Sequence, residues 1–270
     1  MRALPTLLDL AHQAMDLAVE HFHTPVHVTA KDERDLVTDV DLDIERTVRT
    51  HLAHATPDIG FLGEEGGYTG PTSAFWVLDP VDGTANFARG LAVCGVSLAL
   101  VRGHTPMVGV IALPLLGRRY WAAAGRGAHR DGKPIRASQR THLQEAMVAL
   151  GDYGTGEGAL ERNLIAFTLD QELAPRVERL RRLGSAAADL VLVADGTLDA
   201  SLTLGNRTWD MAAGTLIARE AGAMVADSDG TDHTTTSICT LALAPGLADE
   251  LLALVATSVR GTRYAPDSRS

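Results

Sequence analysis

The sequence Asp-Pro-Val-Asp-Gly-Thr at positions 79–84 places the strongest constraint on the fold of this chain. It follows the apolar stretch Phe-Trp-Val-Leu at 75–78, which predicts a buried strand that ends at Asp79. Pro80 fixes its own φ angle, and Gly83 permits a backbone turn that other residues resist. The motif therefore predicts a stiff turn at the end of a strand, with two carboxylates placed three positions apart.

The same turn carries the groups that a metal and phosphate site needs. The carboxylates of Asp79 and Asp82 and the carbonyl of Val81 are oxygen ligands of the kind that Mg²⁺ prefers. Thr84 is predicted to begin a short helix, and helix N-terminal amides beside a bound metal favour phosphate. An ordinary acidic turn could contain the same residues, so the interpretation depends on other motifs in the chain.

Three further motifs accompany this turn. The chain has Asp-Leu-Val-Thr-Asp-Val-Asp at 35–41, Phe-Leu-Gly-Glu-Glu-Gly at 61–66 and Trp-Asp-Met-Ala-Ala-Gly at 209–214. In this order the motifs resemble the inositol monophosphatase family, which belongs to a superfamily of magnesium-dependent, lithium-sensitive sugar phosphatases. The resemblance covers nearly the whole chain. It implies a mixed α/β (α+β) fold, a layered αβαβα sandwich of the sugar-phosphatase type.

The resemblance also implies roles for individual residues. Two Mg²⁺ ions, with a third and weaker one near Glu64, would be bound by Glu64, Asp79, the Val81 carbonyl, Asp82 and Asp210. Asp41 matches the family aspartate that bonds the threonine of the Asp-Gly-Thr turn, here Thr84. Asp41, Thr84 and Glu64 would then form the catalytic set that prepares a water molecule for in-line attack on the phosphate.

Each of these acids has a simpler interpretation as well. Glu64 could belong to a solvated acidic pair with Glu65, although the flanking glycines favour a tight turn. Asp210 could act only as a dipole partner at the N-terminus of its helix. Asp41 could be the N-cap of a helix, and both of its roles could hold at once.

Two segments are expected to contact the substrate. By the resemblance, Asp82, Gly83 and Thr84 would bind the phosphate group. Gly184, Ser185 and Ala186 match the family loop that contacts the sugar or polyol ring, so a ring-shaped substrate is expected.

The chain departs from the family pattern at Thr203. Inositol-selective members place a glutamate seven residues before the aspartate of the Trp-Asp motif, where it binds ring hydroxyls. Thr203 can still form hydrogen bonds, but it cannot supply a charged acceptor. Arg207 adds a cation at the predicted mouth of the pocket. These two residues leave room for a substrate with a second anionic group.

Lys31 is one of only two lysines in an arginine-rich chain, and it lies in a polar stretch that predicts a hairpin or loop. The resemblance implies that a lysine-bearing mobile loop covers the metals. A surface lysine without a role in the site is the alternative interpretation.

Helix and strand patterns support two halves. Apolar residues between Leu4 and Phe22 recur at helical spacing, and a second helical pattern begins near Asp41. Strand-like segments at 92–101, 107–112 and 119–123 predict an antiparallel meander. Further on, strands at 147–150, 177–180, 198–202 and 238–243 alternate with helices at 185–194, 208–221 and 247–255. We expect an N-terminal α+β half (1–145) with most metal ligands, and a C-terminal α/β half (146–270) supplying Asp210 and the substrate pocket.

Composition narrows the class of function. A net charge of −10 without a basic block argues against binding of nucleic acid or anionic membranes. The two cysteines form no disulfide framework, and no apolar run approaches the roughly 20 residues of a membrane span, so we expect a cytoplasmic protein. The resemblance implies that the protein forms a homodimer. It also implies that the molecule it binds is a small phosphorylated metabolite.

We therefore expect a Mg²⁺-dependent phosphomonoesterase that hydrolyses a small polyol or sugar phosphate, such as an inositol monophosphate, with metal-activated water. Histidinol phosphate, fructose 1,6-bisphosphate and 3′-phosphoadenosine 5′-phosphate are alternative substrates. A non-catalytic regulator that binds metal or phosphate is the alternative from a different class.

Overall fold

The computed structural model describes residues 3–23, 28–32 and 35–265. The helices in these residues are α1 (Leu4–Glu20), α2 (Asp39–Ala55), α3 (Thr84–Ala88), α4 (Ala159–Leu173), α5 (Ala186–Ala194), α6 (Thr208–Glu220) and α7 (Ala248–Ser258). The first ten strands are β1 (Val28–Asp32), β2 (Asp35–Thr38), β3 (Gly60–Gly63), β4 (Gly67–Thr69), β5 (Ala74–Asp82), β6 (Gly95–Arg102), β7 (Thr105–Leu113), β8 (Arg118–Ala123), β9 (Ala128–Arg130) and β10 (Lys133–Pro134). The others are β11 (Met147–Leu150), β12 (Arg179–Arg181), β13 (Ala200–Leu204), β14 (Met224–Ala226) and β15 (Cys239–Leu243).

The elements stack in five layers. Helices α1 and α2 cover one face of an eight-stranded sheet, whose strand order is β10-β9-β8-β7-β6-β5-β3-β4. Helices α5 and α6 lie between that sheet and a five-stranded sheet, β12-β11-β13-β15-β14. Helices α4 and α7 cover the outer face of the second sheet. This αβαβα arrangement confirms the predicted fold, because each sheet buries apolar side chains on both of its faces.

Strand β5 has different partners on its two sides. It runs parallel to β3 and antiparallel to β6. The alternation of its side chains is visible in the two cores, since Trp76 and Leu78 face α1 and α2, whereas Val77 faces α5 and α6. The parallel pairing with β3 brings the carboxyl ends of both strands to one edge of the sheet.

Helix α6 packs unusually close to its neighbours because two glycines remove side chains at the contacts. A Cβ on Gly109 of β7 would lie 2.9 Å from the carbonyl oxygen of Ala213 in α6. A Cβ on Gly214 would lie 2.5 Å from the side chain of Leu190 in α5. A larger residue at Gly109 would push α6 away from the large sheet, and a larger residue at Gly214 would push it away from α5.

Most predicted elements are present, with shifted ends. Helix α6 begins at Thr208, as predicted, and Arg207 is its N-cap. Strands β12 and β13 begin two residues later than predicted, at Arg179 and Ala200. The division at residue 145 stays a prediction. No described helix has the length and hydropathy that crossing a membrane requires.

Candidate active site

The turn at 79–84 ends β5 at an irregularity in the sheet. Asp79 pairs with Ser97 and Asp82 pairs with Gly95, but the register shifts between the two pairs. Pro80 has no N–H to donate to a ladder, so its place at this bulge is favourable. Asp79 is 2% exposed and Asp82 is 8% exposed. The bulge therefore places two buried carboxylates at the end of one strand.

Gly83 is required where the two halves of the site meet. Its φ is +86°, and an added Cβ would lie 3.0 Å from the carbonyl oxygen of Gly184 and 3.2 Å from the Cβ of Ser185. The Asn86 side-chain amide donates to the carbonyl of Leu183 at 2.7 Å. The loop before α5 is thereby held against the central turn.

Glu64 reaches the site because β3 and β5 are parallel and in register. Gly63 is the partner of Leu78, and the amide of Glu64 donates to the Leu78 carbonyl at 3.2 Å. Glu64 therefore follows β3 at the point where Asp79 follows Leu78 in β5. The structure brings together the two acids that the sequence placed 15 positions apart.

Asp210 enters from the other half of the molecule. It lies in the first turn of α6, and its Oδ2 accepts the amide of Arg207 at 3.0 Å. The hydroxyl of Ser97 in β6 donates to the carbonyl of Trp209 at 3.3 Å, which ties the start of α6 to the large sheet.

Electrostatics links the four acids. Burial raises the pKa of Asp79 well above its ordinary value, and the charges of Glu64, Asp82 and Asp210 raise it further. Burial, reinforced by the charge of Asp82, raises the pKa of Asp210 to about 8. Repulsion among these carboxylates destabilises the folded protein unless a bound cation compensates their negative charge.

A divalent cation fits these residues. The Oδ1 atom of Asp79 is buried without a hydrogen-bond partner, so an oxygen ligand is free to bind metal. In the described part of the chain, no three acidic, histidine or cysteine side chains are already arranged to hold one ion. Cation binding would therefore require Glu64, Asp79, Asp82 and Asp210 to draw closer together.

Asp82 also faces the N-terminus of α5. It accepts hydrogen bonds from the Ser185 hydroxyl, from the amide of Ala186 at 3.2 Å and from the amide of Ala187 at 2.8 Å. Burial raises the pKa of Asp82, while these donors act in the opposite direction. The predicted substrate loop therefore reaches the site, but the Ser185 hydroxyl is engaged with a carboxylate.

The comparison with known families agrees with this arrangement. The sequence profile described as the inositol monophosphatase family matches residues 3–260. The chain belongs to the inositol monophosphatase family. It is therefore a phosphatase of a family that acts on small phosphorylated sugars or polyols and is generally metal-dependent.

Individual relatives cover most of the chain. An inositol-1-monophosphatase of Mycobacterium bovis is 41% identical over 226 residues, which are 81% of this chain and 77% of that protein. The Nus factor SuhB of Xylella fastidiosa is 38% identical over 234 residues, 85% of this chain and 83% of that protein. The solved IMPase of Thermotoga maritima has a TM-score of 0.83 at 30% identity, covering 95% of this chain and 97% of its own.

One contact expected from the family pattern is not formed. Asp41 accepts hydrogen bonds from the hydroxyl of Thr38 and from its amide at 2.9 Å, in the capping box that begins α2. The hydroxyl of Thr84 donates instead to the carbonyl of Val81 at 2.9 Å. The expected Asp41–Thr84 hydrogen bond is absent, because the Thr38 cap bonds to Oδ2 of Asp41. The catalytic role of Asp41 and Thr84 stays a prediction. Burial nevertheless raises the pKa of Asp41 to about 6.

Glu45 is a site residue that the family motifs did not indicate. Its carboxylate, 6% exposed, accepts the amides of Glu65 and Gly66 at 2.8 Å each and pairs with Arg49 at 2.7 Å. A Cβ on Gly63 would lie 2.3 Å from the Glu45 carboxylate. The available signal was helical spacing, since Glu45 follows Asp41 by four positions and precedes Arg49 by four.

Asp189 was also missed, and nothing in the sequence distinguishes it. It lies in the first turn of α5 and is 2% exposed, with Oδ1 buried and unpartnered. Burial raises its pKa well above the ordinary value, and the charges of Asp82 and Asp152 add to the effect. The central acids are therefore part of a larger negative region that includes α5.

The remaining predicted residues lie around this centre. Thr203 in β13 borders the loop after β11, where a Cβ on Gly151 would lie 3.2 Å from its Cγ2 atom. Arg207 is exposed beside Asp210. The backbone of Lys31 belongs to the β1–β2 hairpin, but its side chain lies outside the described part of the structure.

A buried histidine supports the segment after β13 and makes stability depend on pH. His233 Nε2 lies 2.7 Å from the hydroxyl oxygen of Thr240, to which the Asn206 amide donates at 2.8 Å. Burial and, to a smaller extent, the charge of Arg219 lower the pKa of His233 to about 4, although the charge of Asp227 acts to raise it. The unfolded chain binds the proton near pH 6.5. The folded protein therefore favours neutral His233, and this contribution to the free energy of unfolding is complete above pH 6.5. It is lost as the pH falls toward 4, because the unfolded chain binds the proton more readily.

We expect the free energy of unfolding of the unsubstituted protein to fall between pH 7.5 and 5 by about 2 kcal/mol more than that of His233→Asn. Urea unfolding of both proteins at the two pH values measures this difference. His142→Asn, at an exposed position, controls for the loss of a histidine. Equal pH dependence in the protein and in His233→Asn would contradict the assignment.

Proposed function

We propose that this protein is a Mg²⁺-dependent phosphomonoesterase that hydrolyses a small polyol or sugar phosphate with water as the nucleophile. The observation that carries the proposal is a group of four interacting carboxylates, two of which, Asp79 and Asp82, are buried; Asp79 also has an oxygen without a partner. Carboxylates in this state need cations, and a phosphate dianion needs the same cations before an oxygen nucleophile can approach it.

Five groups would hold two Mg²⁺ ions, with a third ion possible near Glu64. They are the carboxylates of Glu64, Asp79, Asp82 and Asp210 and the carbonyl of Val81. Bound Mg²⁺ would supply Lewis-acid stabilisation of the phosphate charge and would lower the pKa of water.

The residues of the chain would then position the substrate. Gly83 and Thr84 follow Asp82 directly, so their backbone can approach the phosphate oxygens closely. The segment from Gly184 to Ala186, held against Gly83, would contact the ring of the leaving group. Thr84, whose hydroxyl donates to the Val81 carbonyl, would orient the attacking water together with Glu64. Asp41, in the first turn of α2, would influence Thr84 and Glu64 indirectly, through the position of that helix.

A panel of esters tests the proposal. Phosphate release is measured from inositol 1-phosphate, glycerol 2-phosphate, fructose 1,6-bisphosphate, histidinol phosphate and 3′-phosphoadenosine 5′-phosphate. Each ester is assayed with Mg²⁺, with EDTA and with Mg²⁺ plus Li⁺. We expect release that requires Mg²⁺, is inhibited by Li⁺ and is abolished in Asp82→Asn. Release that persists in EDTA would contradict the proposed chemistry.

A regulatory role is the second candidate, because one relative carries the name of a Nus factor. The four carboxylates are all present here, which favours catalysis. Binding of Mg²⁺ to the purified protein without turnover of any ester in the panel would favour the regulatory role instead.

A further inference from the structure

Beside the candidate active site, the structure contains a cavity of about 410 Å³ whose lining includes Arg162, Arg207 and Arg263. These arginines come from three distant parts of the chain: α4, the segment before α6 and the residues after α7. Three guanidinium groups around one cavity are unexpected in a protein whose net charge is −10. We call this space the arginine cavity.

The arginine cavity adjoins the segment that leads from the substrate region to Asp210. Thr203 borders the loop after β11, and Gly205, two residues later, lines the cavity. Arg207 also lines the cavity, while its amide donates to the Asp210 carboxylate. A substrate held at Asp210 could therefore extend its far end into this space.

The three arginines differ in the partners of their guanidinium groups. Arg263 pairs with Glu161 at 3.3 Å, and Glu157 also lines the cavity. Arg162 donates to the carbonyls of Thr155 and Glu157, which are uncharged acceptors. Among the described residues, Arg207 forms no ion pair. The carboxylates that interact with these guanidinium groups or line the same space are Glu157, Glu161 and Asp210, and the charge of Arg207 acts to lower the pKa of Asp210.

Gly205 allows side chains that line the cavity to pack closely against the backbone. Gly205 has a φ of +71°, and a Cβ there would lie 2.8 Å from the Cδ atom of Arg162 and 3.3 Å from the hydroxyl oxygen of Tyr264. The same hydroxyl accepts a hydrogen bond from Arg263 at 3.1 Å. Two of the arginines are therefore held close to the backbone of the segment that leads to the active site.

We propose that the arginine cavity is a subsite for an oxyanion, a phosphate or carboxylate group, carried by the substrate at the end away from the hydrolysed ester. Guanidinium groups bind such oxyanions through paired hydrogen bonds. This subsite would provide specificity where Thr203 lacks a charge. The inference rests on the proposed phosphatase function.

Two esters that differ by one phosphate test the subsite. We compare kcat/KM for fructose 1,6-bisphosphate with that for fructose 1-phosphate in the unsubstituted protein, Arg207→Gln and Arg263→Gln. The preference for the bisphosphate should fall about tenfold in each variant, the loss expected for one charged hydrogen bond. Arg126→Gln removes an exposed arginine outside the cavity and should leave the preference unchanged. An unchanged preference in Arg207→Gln and Arg263→Gln would overturn the substrate subsite.

A second measurement separates a tethered anion from a free one. Sodium sulfate is titrated against Asp82→Asn in EDTA, and the rise in Tm is compared with that in sodium chloride of equal ionic strength. If Arg263→Gln removes a sulfate-specific rise but leaves the ester preference intact, the cavity binds a free anion and the substrate assignment is wrong. If neither changes, the cavity binds no oxyanion.

The two measurements also distinguish this inference from the proposed function. Failure of the proposed function would abolish turnover of both esters, whereas the sulfate titration needs no turnover. Absence of a sulfate-specific rise in that case would overturn the subsite independently.

Discussion

Replacing Asp79 with asparagine is expected to abolish Mg²⁺-dependent phosphate release while stabilising the metal-free protein. The carboxylate is buried, one of its oxygens has no partner, and four other acids raise its pKa. Removing this charge should raise the free energy of unfolding in EDTA by about 1–3 kcal/mol, which corresponds to a Tm increase of at least about 2 °C.

The phosphatase activity of Asp79→Asn should fall, although its stability in EDTA rises. Changes in residues that only support a metal ligand cost about 10–100-fold, so loss of a shared ligand should lower kcat/KM by more than about 100-fold. Thermal unfolding with and without Mg²⁺ provides an independent measure, because a ligand that binds only the folded state raises Tm. We expect the Mg²⁺-dependent rise in Tm to disappear in Asp79→Asn.

Asp82→Asn is the matched control for this prediction. Both of its oxygens accept hydrogen bonds from the N-terminus of α5, and an amide nitrogen would place a donor against those donors. Asp82→Asn should therefore lose activity without gaining stability. If Asp79→Asn retains phosphate release within tenfold of the original protein, Asp79 is not a metal ligand.

The second large effect is expected at Glu45. Glutamine at this position offers one oxygen to the amides of Glu65 and Gly66 and leaves Arg49 without its charged partner. We expect Glu45→Gln to reduce the free energy of unfolding by about 1–3 kcal/mol. Because the same turn presents Glu64, the apparent affinity for Mg²⁺ should fall about 10–100-fold. At saturating Mg²⁺, kcat should be affected much less.

Isothermal titration with Mg²⁺ and urea unfolding measure the two effects of Glu45→Gln separately. The control is Asp43→Asn on the same helix, which breaks an exposed pair with Arg46 whose side chains are 43% and 75% exposed. Such a pair contributes at most about 1 kcal/mol, and its loss should leave Mg²⁺ affinity unchanged. A loss of stability in Glu45→Gln with unaltered Mg²⁺ affinity would mean that Glu45 only supports the fold.

Local chemistry made much of the site predictable. Pro80 and Gly83 limit the conformations of the central turn, and carboxylates spaced around them have few other uses when buried. The helices α1 and α2 and the main strands were predictable because their apolar residues recur at helical or strand spacing. The family motif that contains Glu64 implied that it shares a metal site with Asp79, but the parallel pairing of their strands was seen only in the structure.

Contacts between distant segments could not be predicted in the same way. The Glu45 carboxylate meets the Glu65 amide only after α2 packs beside the turn that follows β3, and Asp189 becomes buried only when α5 docks on the central turn. The hydrogen bond predicted between Asp41 and Thr84 is absent for a different, local reason, and the catalytic role of the pair stays a prediction. The amide and the hydroxyl of Thr38, three residues before Asp41 in the sequence, donate hydrogen bonds to Oδ2 of Asp41.

The sequence by itself determined the identity of the central turn, the order of the motifs and thereby the family, because these depend on residue types at fixed short spacings. Only the tertiary structure decided which strand runs parallel to β5, how closely α6 approaches the large sheet at Gly109 and α5 at Gly214, and that three arginines line one cavity. Strand order and helix packing depend on side chains far apart in the chain, and their contacts form only when the whole core is buried.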